Sequence, residues 1–245
     1  MIQVFSASSQ NLEYYQIKVY HLANEQQQQV VENFLQNAYV PAMHRAGVKK
    51  LGVFKPVDND TSSDRRLFVF VPFRSQADLF KLTQQVEKDK AYLTAGKDYL
   101  EAPYNNIPYK RIETIVLEAF PDMPRFEAPA LKSAMDNRVY ELRSYESPTE
   151  KLHDNKVQMF NEGGEIKIFK RLNFNAVFYS RVKAGSHMPN LMYMTTFEDR
   201  ADRDAHWKSF SADTAWKQLS ARPEYQHNVS HQDIIFLRPL AYSDL

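Results

Sequence analysis

Two short runs carry the residues whose types and spacing could do chemistry. Gln16, Lys18 and Tyr20 alternate with Tyr15, Ile17 and Val19, and Glu141, Arg143 and Tyr145 alternate with Tyr140 and Leu142. Alternation with a period of two marks a strand with unlike faces. If the apolar phase packs on helices, the polar phase faces the space across the sheet. Charges there must be paired or wetted, because an isolated buried charge is strongly unfavourable. One outcome is a structural pair, Glu141 with Arg143. The other is a polar-lined cavity for a small organic ligand, with Arg143 or Lys18 holding an anionic group. Tyr179, on a later strand, joins Lys18, Tyr20, Glu141, Arg143 and Tyr145 as the candidate ligand-binding set.

The remaining chemistry-bearing residues give weaker signals. His227 and His231 are spaced like metal ligands, but no glutamate lies between them and no third ligand is evident, so no metal is expected. His187 falls in a hairpin loop and reads as exposed, while His153 and His206 read as partly exposed helix positions. Trp207, Phe210 and Trp216 stand at helical spacing, which points to core packing. Arg203 is placed to pair with Asp199 or Asp202 on its own helix. There is no cysteine, hence no disulfide, thiolate site or cysteine nucleophile. Phosphate loops and nucleophile elbows are missing, and six glycines leave little material for a nucleotide cradle. No cofactor is expected.

The elements that must position these residues recur twice. Tyr14 to Leu22 reads as a strand, Asn24 as a cap, and Val30, Val31, Phe34, Leu35 and Ala38 as one helix face. A hairpin spans Leu51–Val57 and Leu67–Val71, Ser75 opens a helix, Asp89 begins a shorter one, and Ile112 to Leu117 is a strand. Pro121, Pro124 and Pro129 break the chain into repeats over 13–120 and 138–243 with a linker over 121–137. The second repeat opens with a strand at Arg138 to Tyr145. Ser147-Pro148-Thr149-Glu150 reads as a capping box, and Gly163-Gly164 as a point where the following helix widens or kinks.

From Val53 to Tyr92 the first repeat corresponds to the second without a gap. Val53-Phe54 matches Val177-Phe178, Leu67 matches Leu191, Phe73 matches Phe197, Ala77-Asp78 matches Ala201-Asp202, and Asp89 and Tyr92 match Asp213 and Trp216. Each pair is 124 positions apart, as Val53 and Val177 are. The expected fold class is therefore α+β: tandem ferredoxin-like β-α-β-β-α-β repeats packed sheet to sheet as a single-chain dimeric α+β barrel. Each sheet has a bare apolar face, which favours burial by about 25 cal/mol per Å².

Composition excludes several classes. A charge of +1 gives no drive toward nucleic acid or an anionic membrane. No apolar run approaches the roughly 18 residues of a membrane span. As written, the chain has no signal peptide and reads as cytoplasmic, or as exported if Met1 to Ser9 is the remnant of a trimmed leader. Residues 1–12 read as a loose arm.

Tyr140-Glu141-Leu142-Arg143-Ser144-Tyr145 resembles the opening strand of the NIPSNAP family. So do Phe197-Glu198-Asp199 with Arg203, Trp207, Phe210, Asp213 and Trp216, and the closing Phe236-Leu237-Arg238-Pro239. The first half is similar to a diverged copy, with Leu79 for the arginine, Thr83 for the first tryptophan and Tyr92 for the second. The resemblance implies a dimeric α+β barrel, as a monomer with an internal pseudo-dimer or as a homodimer, and carries over no catalytic residues. The functional expectation is a non-catalytic small-ligand-binding or interaction protein using the space between the sheets. The alternative, from fold analogy, is a cofactor-independent monooxygenase or a haem-handling enzyme, with His153, His206, Tyr145 and Tyr179 as its candidates.

Overall fold

The computed structural model describes residues 11–245; most of the expected arm and all of the expected leader remnant lie outside that range. Strand β1, Tyr14–Leu22, leads to Asn24, whose side chain accepts from the Gln27 amide at 2.9 Å and starts helix α1, Glu25–Phe34. The helix then widens into a π turn at Leu35–Tyr39 and continues as α2, Val40–Arg45. β2, Gly52–Pro56, and β3, Arg65–Phe73, form the hairpin. Helices α3, Gln76–Glu87, α4, Lys90–Ala95, and α5, Lys97–Leu100, precede β4, Arg111–Ala119.

The second repeat has β5, Val139–Glu146, then α6, Glu150–Phe160, and α7, Glu165–Arg171. β6, Ala176–Ala184, and β7, Asn190–Phe197, are followed by α8, Arg200–Ala212, α9, Thr214–Ser220, and β8, His231–Pro239. The correspondence reaches individual hydrogen bonds. Asp89 caps α4 by accepting from the Tyr92 amide, and Asp213 caps α9 by accepting from the Trp216 amide. Both first helices are interrupted at matching points. The second repeat does it with a break at residues 161–164, where Gly164 takes a φ of +89°, open to glycine at little cost.

One expected cap is displaced. Thr149, not Ser147, accepts from the Leu152 amide, and the Ser147 hydroxyl donates to the Asn228 carbonyl, tying the end of β5 to the approach of β8.

The strands of each repeat stand in the ferredoxin-like order, β4-β1-β3-β2 and β8-β5-β7-β6. The two sheets join at their edges, β2 to β8 and β4 to β6, and every pairing is antiparallel. The eight strands close into one barrel with helices outside it. This removes the exposed edges that each half-sheet would present alone. No helix among the described residues is long and apolar enough to cross a membrane.

Closure inverts the expected strand phases. Tyr15, Ile17, Val19, Tyr140 and Leu142 point into the lumen with Phe54, Phe70 and Phe178, and the polar phase lies outside, under the helices. An eight-strand barrel has an interior just wide enough for side chains or one small ligand, so it selects the apolar phase. The helices supply the polar phase with partners that the lumen cannot.

Candidate functional site

Glu141, Arg143 and Tyr145 project from β5 into the layer beneath α6 to α9. Glu141 is 0% exposed and accepts from Arg143 Nε at 2.7 Å, from Arg203 Nε and Nη2 at 2.8 and 2.9 Å, and from Trp207 Nε1 at 2.9 Å. The Arg143 guanidinium stacks 3.7 Å from the Trp207 ring centre, and its Nη1 donates to the Tyr145 hydroxyl at 2.9 Å. Tyr145 and Tyr193 share a hydrogen bond of 2.7 Å, and Tyr179 stacks on Tyr193 with ring centres 5.5 Å apart. Burial pushes the Glu141 carboxyl up, but hydrogen bonds and charge from Arg203 and Arg143 outweigh it and hold the group below its ordinary value. Beside this network Lys156 donates to Glu165 at 2.9 Å; burial raises the Glu165 carboxyl despite that partner.

Arg203 thus departs from the expected pairing with Asp199 or Asp202. α8 lies on the sheet, and the side chain reaches down to the buried carboxylate while its Nη1 donates to Asp204 at 2.9 Å. Lys18 and Tyr20 lie in the equivalent layer of the first repeat, apart from the other four candidates. Lys18 Nζ sits 5.2 Å from the Tyr39 ring centre and has no ion pair among the described residues. Burial lowers its pKa, against a weaker opposing pull from Glu87. His153 is buried rather than partly exposed as expected, and burial then Arg181 lower its pKa.

The lumen differs at its two ends. Around the start of β1 it is stoppered: Phe70 and Phe178 stack 5.0 Å apart, Phe126 from the linker packs edge-on to Phe70, and Leu245 packs at Gly52. At the other end the inward column turns polar, and a cavity of about 240 Å³ opens there. Val19, Phe68, Ile115, Leu142, Met192 and Ile235 form its apolar wall. His21, Glu113, Arg66, Ser144, Asn190 and Asp233 supply polar groups at its rim.

The rim has one half from each repeat. In the first, His21 Nδ1 lies 2.9 Å from Asp64 Oδ2, and Nε2 lies 3.2 Å from Glu113 Oε1. In the second, Glu146 stands opposite Asn190 of β7 and His231 of β8, with Asp233 two residues further on. His187 Nδ1 is 3.0 Å from Glu146, and His231 Nε2 is 3.2 Å from Asp233. His231 thus belongs to this cluster, whereas His227, its expected partner, does not. None of these rim residues stood in the candidate set. Their signal is parity: Val19 leads to His21, Leu142 and Ser144 lead to Glu146, and Ile235 and Asp233 lead to His231 along apolar columns that turn polar.

Residues 140–244 match the NIPSNAP family. The second repeat is a NIPSNAP domain. No curated protein matches the sequence. Solved structures resemble the chain over nearly its whole length. A candidate monooxygenase from Fusobacterium nucleatum superposes with a TM-score of 0.60 at 7% identity, covering 94% of this chain and 93% of its own. One from Lactobacillus acidophilus gives 0.58 at 11% identity, covering 93% and 94%. An anthrone oxidase-like protein gives 0.51 at 9% identity, covering 93% and 91%. At these identities the likeness is one of fold: a pseudo-dimeric barrel spanning both repeats, including the first half, which the family match does not reach.

Proposed function

We propose that this NIPSNAP-family protein binds a small, largely apolar organic molecule in the polar-rimmed mouth of its barrel. The observation that carries the reading is the asymmetry of the lumen, packed with rings at one end and hollow over about 240 Å³ at the other. That volume is just under the roughly 300–1,000 Å³ of drug-sized pockets, which suits one or two fused rings. The walls bury the ring body, and Ser144, Asn190 and the His21–Glu113 pair meet a hydroxyl or carbonyl at its edge. The network around Glu141 and Arg143 is structural in this reading: its donors and acceptors are spent on each other.

The fluorescent probe 1-naphthol tests it. Wild-type protein should bind it, and Met192→Trp, which fills the hollow with an apolar ring, should weaken binding at least tenfold with an unchanged thermal transition. Equal binding by both proteins would remove the mouth as the site.

A second reading makes the ligand a substrate. The whole-chain likeness to two candidate monooxygenases favours it, and the Glu113 carboxylate, held by His21 Nε2 at the cavity rim, is placed to take a proton from an acidic ring position. Dioxygen would then take up the electron pair of the resulting carbanion to form a C–O bond, and the hydroperoxide, once protonated, would break its O–O bond and lose water to leave a ring carbonyl. Oxygen uptake with anthrone, lost in His21→Phe, supports this reading; no uptake above buffer leaves a binding protein.

A further inference from the structure

We infer that the second-repeat half of the barrel rim is a binding site for a divalent first-row transition cation, held by Glu146, Asp233 and His231. This inference stands whether or not the hollow takes an organic ligand. One ligand atom from each of the three residues lies within 4.8 Å of the others. The His231–Asp233 separation of 3.2 Å is close to the roughly 3.4 Å between two ligands about 2.1 Å from a tetrahedral ion. Imidazole nitrogen with carboxylate oxygens suits zinc, manganese or iron(II). Glu146 also has a partner that would orient it, His187 at 3.0 Å, in the manner of outer-shell groups around metal ligands.

The strand ladder makes the placement firm. Asn190, Glu146 and His231 form one inward row across β7, β5 and β8, and Asp233 stands in the next row beside Ser144. The Ser230 amide donates to the Glu146 carbonyl at 2.8 Å, which fixes the start of β8 against the end of β5. These backbones are set by sheet pairing rather than by loops.

Two observations point to an ion rather than to an ordinary acidic rim. The first is the contrast between repeats. In the first repeat the position facing His21 on β3 is Arg66, whose guanidinium lies 3.9 Å from Asp64. The matching position, 124 residues on, is Asn190. The second-repeat rim therefore has Glu146 and Asp233 with no lysine or arginine within ion-pair distance among the described residues; their recorded partners are histidines. A bound cation would supply the charge that Arg66 supplies in the first repeat. The second observation is Asn190 itself. It is 2% exposed and lines the hollow, its Nδ2 donates to Ser144 Oγ at 2.9 Å, and its Oδ1 is buried with no donor. Buried polar atoms are nearly always satisfied, so an unsatisfied carbonyl on the residue paired with Glu146 calls for a cation or an ion-bound water.

Calorimetric titration of the full chain, stripped with chelator and free of affinity tag, with zinc, manganese or cobalt(II) chloride tests this. One equivalent should bind, and His231→Ala and Asp233→Asn should each weaken it at least tenfold. His227→Ala, four residues upstream and outside the cluster, should bind as wild type. Asn190→Arg, which transplants the first repeat's cation, should abolish binding. Circular dichroism checks that each variant folds; His231 and Asp233 are exposed, so those two keep the test valid if Asn190→Arg does not fold. Wild-type uptake no greater than that of His231→Ala overturns the inference. Since the metal alone is the probe, the outcome is independent of 1-naphthol binding.

Discussion

Beneath the helices of the second repeat, Arg143 stacks on Trp207 with Glu141 and Arg203 bonded beside it. Beneath those of the first repeat, Lys18 holds the matching strand position, with Gln16 in place of the carboxylate, Leu79 in place of the second arginine and Thr83 in place of the tryptophan. Fold and strand phase are the same, but the charges are paired in the second repeat's layer, whereas Lys18 has no ion pair among the described residues. The charges have changed as a set, because removing one member of a buried network strands the others. The cation that survives alone is a lysine. An arginine stays charged at any ordinary pH, whereas a lysine can lower its pKa and relieve its burial. The carboxylate in the second repeat fixes two guanidiniums, and without it the first repeat has kept one amine under a tyrosine ring.

The sharpest way to break this comparison is to remove the carboxylate. Glu141→Gln should cost about 3–5 kcal/mol, since it leaves two guanidiniums facing a neutral amide. The mirror change Gln16→Leu should cost only about 1 kcal/mol. Denaturant unfolding measures both, and equal losses would mean that the two layers are not energetically distinct.

A pH series on the Glu141 pair gives the next largest effect. The folded carboxyl lies below its ordinary value, so its stabilisation is fully present above about pH 4.5 and is lost as pH falls through the folded value. The stability gap between wild type and Glu141→Gln should be flat from neutral pH to about 5 and narrow below. A gap that widens in acid would contradict the pairing.

Lys18→Met should raise stability at pH 7, by about 1 kcal/mol, because an apolar side chain of similar length removes a desolvated amine. Its sign follows from the lowered folded pKa. The unfolded chain holds the proton more tightly, so wild type is penalised below the folded value, and the penalty disappears as pH rises past the ordinary lysine value of 10.5. The gain should therefore vanish at strongly alkaline pH; a gain unchanged there would assign it to packing.

The smallest change sharpens the contrast instead. Gln16→Glu gives Lys18 the partner that Arg143 has, and should move the Lys18 titration, followed by NMR of its side chain, back toward the ordinary value. Stability should shift by less than about 1 kcal/mol, as both members become charged and desolvated.

Much of the fold was legible because it rests on local signals. The alternation in Tyr14–Leu22 and Val139–Glu146, the caps at Asn24, Ser75, Asp89 and Asp213, and the matched Val53-Phe54 and Val177-Phe178 are short-range features. The candidate site was legible only in part. Glu141, Arg143 and Tyr145 do converge, and Tyr179 lies against them through Tyr193, but on the helix side of the wall, with Arg203 and Trp207 completing a network that closes on itself. Lys18 and Tyr20 belong to the other repeat's layer. The rim of the hollow escaped because it unites residues as distant as His21 and Glu113, or Glu146 and His231.

The amino-acid order alone determined the duplication, the element sequence of each copy and which residues share a strand face. These follow from steric and hydrophobic preferences acting over a few residues, which any chain with this pattern must obey. Tertiary structure alone decided which face is inside. Joining two half-sheets at their edges made a lumen too narrow to hydrate charges, so the apolar columns turned inward. Only where those columns run out, at one end of the barrel, could polar groups from both copies meet around a hollow.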